Sequence, residues 1–198
     1  MAALSRAGHR ASGHKVGPDY IDPGYHALAT GRPGRNLDPH LVGERRLVSM
    51  LLHGARGADV AIVEGVMGLY DGQLGGKGFA STAHVATLTR TPVVLVVDIS
   101  HAARSIAAVV HGMIAFDPSV RIVGVALNKA GSSRPADEVV SALESTGLPV
   151  LGVLLVERAT SGRHVWASRA ATTTCSAVVA KSCSPASTRA SRCGSSPA

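Results

Sequence analysis

The chain has 198 residues, 45% of them hydrophobic, and a formal net charge of +7, which suits one buried core rather than a fibrous or extended chain. The charge is uneven: residues 157–198 hold six Lys and Arg against one Glu, so five of the seven net charges lie there and the rest is nearly balanced. Aromatics at 3% leave few rings for bases to stack on, no apolar run approaches the ~20 residues of a membrane span, and MAALSRAGHR has no signal-peptide core, so nucleic-acid and membrane roles are not expected and a cytoplasmic location is.

In chain order, a short helix remnant (about Ala2 to Ala7) and a strand reaching Val16 open the chain as if in the middle of a βα unit. Asp22-Pro23 and Asp38-Pro39 each place a capping acid before a proline and read as helix starts; the second helix carries Leu41, Val48, Leu51 and Leu52 on one face to about Gly54. From there β-rich runs at 59–65, 92–100, 121–129 and 149–155 alternate with helical patterns at 81–90, 101–116 and 135–147, the last closed by Gly147. The runs are almost continuously apolar, as strands covered on both faces are, and the alternation predicts an α/β domain with a mostly parallel sheet.

After Leu155 the periodicity stops. Residues 156–198 are rich in Ala, Ser, Thr and Arg and hold all three cysteines, Cys175, Cys183 and Cys193, at no metal or redox spacing. A disordered tail or a frameshifted segment is expected there, with its thiols reduced.

In open parallel sheets ligands sit outside the carboxyl ends of the strands. The strand ending at Lys15-Val16 leads into GPDYIDPGYH, and DVAIVEG leads into VMGLYDG. Two further strands end at Asp98 and at Asn128-Lys129. Glu64 ends its strand as a Walker B acid does, and Asp19, Asp22 and Asp71 are expected at the same edge, where clustered carboxylates repel unless a cation relieves them. Lys15, before a Gly-Pro turn, is placed to meet an anion; Arg32, Arg35 and Lys77 add positive charge in Gly-rich loops. Asn128-Lys129 has an amide suited to a purine edge. The segment DGQLGGKG (71–78) lacks both the opening glycine and the final hydroxyl of a phosphate loop, and reads as a loop over the site. The histidines, His26 among them, show no paired metal spacing and are expected to be structural or at the surface.

Taken in order, KVGPDYIDPGYHALATGRPGRNLD (15–38), EGVMGLYDG (64–72), STAHVA (81–86), TPVVLVVD (91–98) and GVALNKAGS (124–132) resemble the cobyrinic acid a,c-diamide synthase family of corrin biosynthesis. The resemblance implies a P-loop NTPase-like, doubly wound sheet of the dethiobiotin synthetase type. Its first strand and phosphate loop would precede Met1, residues 1–155 would be an incomplete synthetase domain, and 156–198 would stand in place of a glutamine amidotransferase domain. It also implies ATP and Mg²⁺ as cofactors, a corrinoid polycarboxylate as substrate, glutamine or ammonia as nitrogen donor, and room for a homodimer. By the same resemblance Asp22 and Glu64 surround Mg²⁺, and Asp19, Tyr20 and Asp71 lie near the substrate carboxylate or its acyl phosphate. Lys15 faces phosphate or substrate, and Asn128 with Lys129 meets the nucleotide. The chain by itself is then expected to be an inactive fragment. Two alternatives share the scaffold: another ligase of the dethiobiotin synthetase or cobyric acid synthase type, and a partition-type ATPase without ligase chemistry.

Overall fold

In the computed structural model, residues 1–155 and 175–182 are described. The chain runs through α1 (Ala2–Arg6), β1 (Ala11–Val16), α2 (Asp22–Thr30), β2 (Arg35–Leu37), α3 (Pro39–Val42), α4 (Glu44–Gly54), β3 (Val60–Glu64) and α5 (Thr82–Thr89). It continues through β4 (Val93–Asp98), α6 (Ser105–Phe116), β5 (Ile122–Ala130), α7 (Ser133–Leu143) with a 3₁₀ turn Glu144–Thr146, β6 (Val150–Leu155) and β7 (Cys175–Ser182). Among the described residues, seven strands form one sheet in the order β2-β1-β3-β7-β4-β5-β6. The pairs β1–β2, β1–β3, β4–β5 and β5–β6 are parallel. The expected α/β, mostly parallel, doubly wound architecture is thus present.

Two connections set the position of everything that follows. After β1 the chain moves through α2 to β2 on one side, and it returns through α4 to lay β3 on the other side of β1. From β3 it moves away through α5 to β4, so the connections leaving β1 and β3 diverge and open a crevice at their carboxyl ends. Helices cover both faces. His26 of α2 lies against the face of Gly13, while Gly54 of α4 closes on His14, which points the opposite way from the same strand. Leu47 and Leu51 of α4, Val63 of β3, Leu95 and Val97 of β4 and Leu127 of β5 are buried in one continuous core.

Some local expectations shift. Asp38 does cap its helix, its Oδ1 accepting from the His40 N–H at 2.8 Å. That helix stops after four residues, however, because Gly43 takes φ +77°, and α4 starts afresh at Glu44. The buried face of α4 is therefore Leu47, Leu51 and Gly54, while Leu41 and Leu52 are exposed. At α2 the roles are also exchanged: Asp19 Oδ1 accepts from the N–H groups of Ile21 and Asp22, and Asp22 becomes the first helical residue with its carboxylate free for another partner.

One strand lies within the segment for which a disordered tail or a frameshifted segment was expected. Cys175–Ser182 forms β7, antiparallel to β3 and to β4 and lying between them. A strand in mid-sheet is held by the hydrogen-bonding edges of two neighbours, so it needs no amphipathic period of its own. The rest of 156–198 lies outside the described residues. At the far edge β6 is exposed, with Leu155 61% accessible.

Two measurements check this core. Leu95→Ala, at a fully buried position in β4, is expected to lower unfolding free energy by about 2–5 kcal/mol in urea titrations. Burial lowers the His14 pKa to about 4 from 6.5, helped by the charges of Arg35 and His26. A depressed folded pKa contributes stability that is complete above the unfolded value and lost as pH falls through the folded one. Stability is expected to fall by about 3 kcal/mol between pH 6.5 and 4, and His14→Gln should flatten that part of the profile.

Candidate functional site

Lys15 and Glu64 are register partners at the ends of β1 and β3, so the divergence of the two connections places an amine and a carboxylate side by side. Lys15 is only 6% accessible. Its Nζ lies 2.6 Å from Asp22 Oδ2, 3.4 Å from Glu64 Oε1 and 3.1 Å from the Gly65 carbonyl oxygen. Burial works against the charge of Lys15, but the bonds to Asp22 and Glu64 outweigh it and hold the ammonium above its ordinary pKa. For Glu64, burial favours the neutral acid, and the bond from His26 together with the charge of Lys15 outweighs that, holding the carboxyl below its ordinary range.

His26 joins this cluster. It is 4% accessible, and its Nε2 lies 2.6 Å from Glu64 Oε2. The histidines were expected to be structural or at the surface, and His26 is a buried one that holds a candidate site acid. The signal was available: Asp22 and His26 are four apart, so a helix starting at Asp22 presents both on one face. Nothing local reveals the partner, which lies 38 residues away. The seat for the ring is made by Gly13, where a Cβ would come within 2.6 Å of His26 Cβ. His26 Nδ1 is buried without a partner, so Nε2 is the nitrogen that carries the proton to the carboxylate.

Beside this cluster lies a cavity of about 460 Å³ whose walls include Val16, Pro18, Asp19, Val66, Met67 and Asp71. Asp19 and Asp71 therefore do reach one place, though each also closes its own turn: Asp19 caps α2, and Asp71 Oδ2 accepts from the Gly68 N–H at 3.0 Å. Asp38, read from the sequence only as a helix cap, and His40, not singled out there, line the same cavity. Tyr20, next in sequence to Asp19, is 97% accessible and is not part of the cavity wall. The loop 65–81 is tied down at its base, where Thr82 Oγ1 bonds both the N–H and the carbonyl of Val66 and Ala83 N–H donates to Leu69. Its tip, within 71–78, closes on itself through Gln73 N–H to Phe79 O.

Other candidates lie apart. Asn128 and Lys129 stand at the end of β5, three strand positions from β3, which is about 14 Å at ~4.8 Å per strand. There Lys129 Nζ pairs with Asp98 Oδ2 at 2.8 Å, and Asn128 Oδ1 accepts from the Lys129 N–H. Arg32 and Arg35 donate to backbone carbonyls of Arg56 and Pro33. No helix among the described residues is long and apolar enough to cross a membrane.

Comparison with known proteins gives this geometry a context. The chain is 67% identical over 157 residues to "Hydrogenobyrinate a,c-diamide synthase" of Thermobifida fusca (strain YX), covering 78% of this chain and 33% of that protein. It is 62% identical over 154 residues to the protein of the same name from Streptomyces coelicolor, covering 78% and 32%. Against "Cobyrinate a,c-diamide synthase" of Dehalococcoides mccartyi (strain ATCC BAA-2266 / KCTC 15142 / 195) it is 46% identical over 167 residues, covering 83% and 36%. The chain thus spans about a third of the length of the curated relatives it matches. No family model matches the chain, and no solved structure does. Over 78% or more of its length, this chain thus matches a part of proteins named hydrogenobyrinate or cobyrinate a,c-diamide synthase, at 46–67% identity.

Proposed function

We propose that this chain supplies the carboxylate-activating part of an ATP-dependent ligase that amidates the a and c side chains of a corrinoid polycarboxylate. The observation that carries the reading is the buried Lys15 held between Asp22 and Glu64 where the connections from β1 and β3 diverge, with an open cavity beside it. The names of the relatives supply the substrate class, and the higher identities fall on those named for hydrogenobyrinate.

In this reading a substrate carboxylate accepts the terminal phosphoryl group of ATP as ADP leaves, and ammonia drawn from glutamine then attacks the acyl carbon and expels phosphate. Lys15 meets an oxyanion, either the substrate carboxylate or a phosphate. Asp22 and Glu64 suit a hard divalent cation, since Mg²⁺ takes one or two carboxylates and completes its shell with water and phosphate oxygens. Among the described residues no three His, Cys, Asp or Glu side chains cluster as a metal site, so the pair would hold Mg²⁺ only with such outside ligands. When bound, Mg²⁺ supplies charge neutralisation to the polyphosphate. Asp19, Tyr20 and Asp71 are proposed to border the substrate side, with Val66 and Met67 offering apolar surface to the macrocycle. Asn128 and Lys129 are proposed to meet the nucleotide.

Two experiments test this. Equilibrium dialysis of hydrogenobyrinic acid against the chain, read by its visible absorbance, is expected to show saturable binding that Lys15→Met weakens by about tenfold or more. No binding, or binding indifferent to the variant, overturns the substrate assignment. The matched residues can also be grafted into the Thermobifida fusca relative in place of its own. There Glu64→Gln is expected to lower kcat for Mg²⁺-ATP-dependent amidation by about 100-fold or more. Unchanged turnover removes Glu64 from the chemistry.

A further inference from the structure

The Lys15 ammonium carries three N–H bonds, and three protein oxygens surround it: Asp22 Oδ2, Glu64 Oε1 and the Gly65 carbonyl. Its side chain is 7% accessible, so water has little part in satisfying it. The second Glu64 oxygen is held by His26 at 2.6 Å. Hence Glu64 Oε1 and Asp22 Oδ2, two of the oxygens through which this pair could reach a divalent cation, are already in contact with the ammonium. A cation bridging them would stand beside Nζ, and the two positive charges would repel in a partly dry site. The same three contacts stand in the way of an anion, since Lys15 can donate to an incoming oxygen only by releasing one of the oxygens it holds.

Each ligand therefore relieves the obstacle to the other. We propose that Lys15 is a resident counter-cation that keeps a divalent cation off Asp22 and Glu64 until an oxyanion takes over its ammonium, so that cation and anion bind with positive coupling. The proposal rests on the reading above in one respect, that Asp22 and Glu64 are the cation-holding acids. His26 keeps its part throughout: it fixes Glu64 Oε2, which leaves Oε1 as the Glu64 oxygen that would face a cation. Because coupling is reciprocal, the divalent cation tightens anion binding by the same factor. The oxyanion is a phosphoryl group or a carboxylate, which share the chemistry that an ammonium recognises.

Mn²⁺ serves as the probe, its free form counted by electron paramagnetic resonance in titrations of the 198-residue chain. The wild-type chain alone is expected to bind Mn²⁺ weakly, and Lys15→Met to bind it about tenfold tighter or more. Adding Glu64→Gln to Lys15→Met should remove that gain. Saturating methylphosphonate or propionate, both weak ligands for Mn²⁺, should tighten the wild type by about fivefold or more while leaving Lys15→Met unchanged. Whichever of the two acts identifies the source of the oxyanion. If Lys15→Met keeps its circular dichroism yet binds no Mn²⁺, the acids are not cation ligands and the cation site proposed above falls as well. If wild type and Lys15→Met bind Mn²⁺ equally, the role of Lys15 alone is overturned. The wild-type anion titrations need no substitution, and an affinity unchanged by both anions overturns the proposal even where Lys15→Met does not fold.

Discussion

A lysine ammonium at the end of a sheet strand, almost closed to water, is tolerable only if its proton donors are met by oxygens, and the local architecture is arranged around that demand. Asp22 comes from the start of α2, Glu64 from the end of β3, and the third oxygen from the backbone one residue beyond. Each depends on a separate decision of the chain. α2 must lie flat on the face of β1 that bears Gly13 and Lys15, β3 must pair with β1 in register, and Asp19 must cap the helix so that the Asp22 carboxylate is left over. The charge itself is costly to bury and is retained because the acids are costly to leave unpaired. The polar knot ties a helix and two strands at the one place where the sheet connections diverge.

Around that knot the apolar core does the ordinary work of stability. Leu47 and Leu51, Leu95 and Val97, and Leu127 fill the space between sheet and helices. The core reaches across β7, an antiparallel strand in an otherwise parallel sheet. By closing β3 to β4, that strand completes the hydrogen bonding of two edges that would otherwise be bare, a known hazard for aggregation. It also separates the acid and amine at β1 and β3 from the Asp98–Lys129 pair at β4 and β5, so the two charged pairs act as distinct groups.

How far the site was legible can be judged residue by residue. Glu64 was readable because a charged residue closing an apolar run marks a strand end, and Lys15 because it stands just before a Gly-Pro turn; ends of parallel strands converge. Asp22 was readable as a helix start, but its exchange of roles with Asp19 was not, because both acids precede the same helix and the bonds of only one can close the turn. The break at Gly43 was hidden by the continuous apolar pattern on either side of it; one positive φ decides it. His26 was discounted because no local metal spacing marks it, although a histidine one helical turn past Asp22 shares its face and needs only a carboxylate from another strand. Asn128 was placed at a strand end as expected, and the order of the strands sets it apart from Glu64.

By itself the sequence determined what repeats along the chain: the alternation of strand and helix, the parallel and mostly buried sheet, the strand ends that carry charge, and the motifs shared with a,c-diamide synthases. These are local properties, set by period and by neighbouring residues. Tertiary structure alone decided which charge meets which, because Lys15 is separated from Glu64 by 49 positions and His26 from it by 38. It alone decided that Cys175–Ser182 belongs between β3 and β4. Pairing energy depends on where strands and helices come to rest, and that depends on the whole packed core rather than on any one segment.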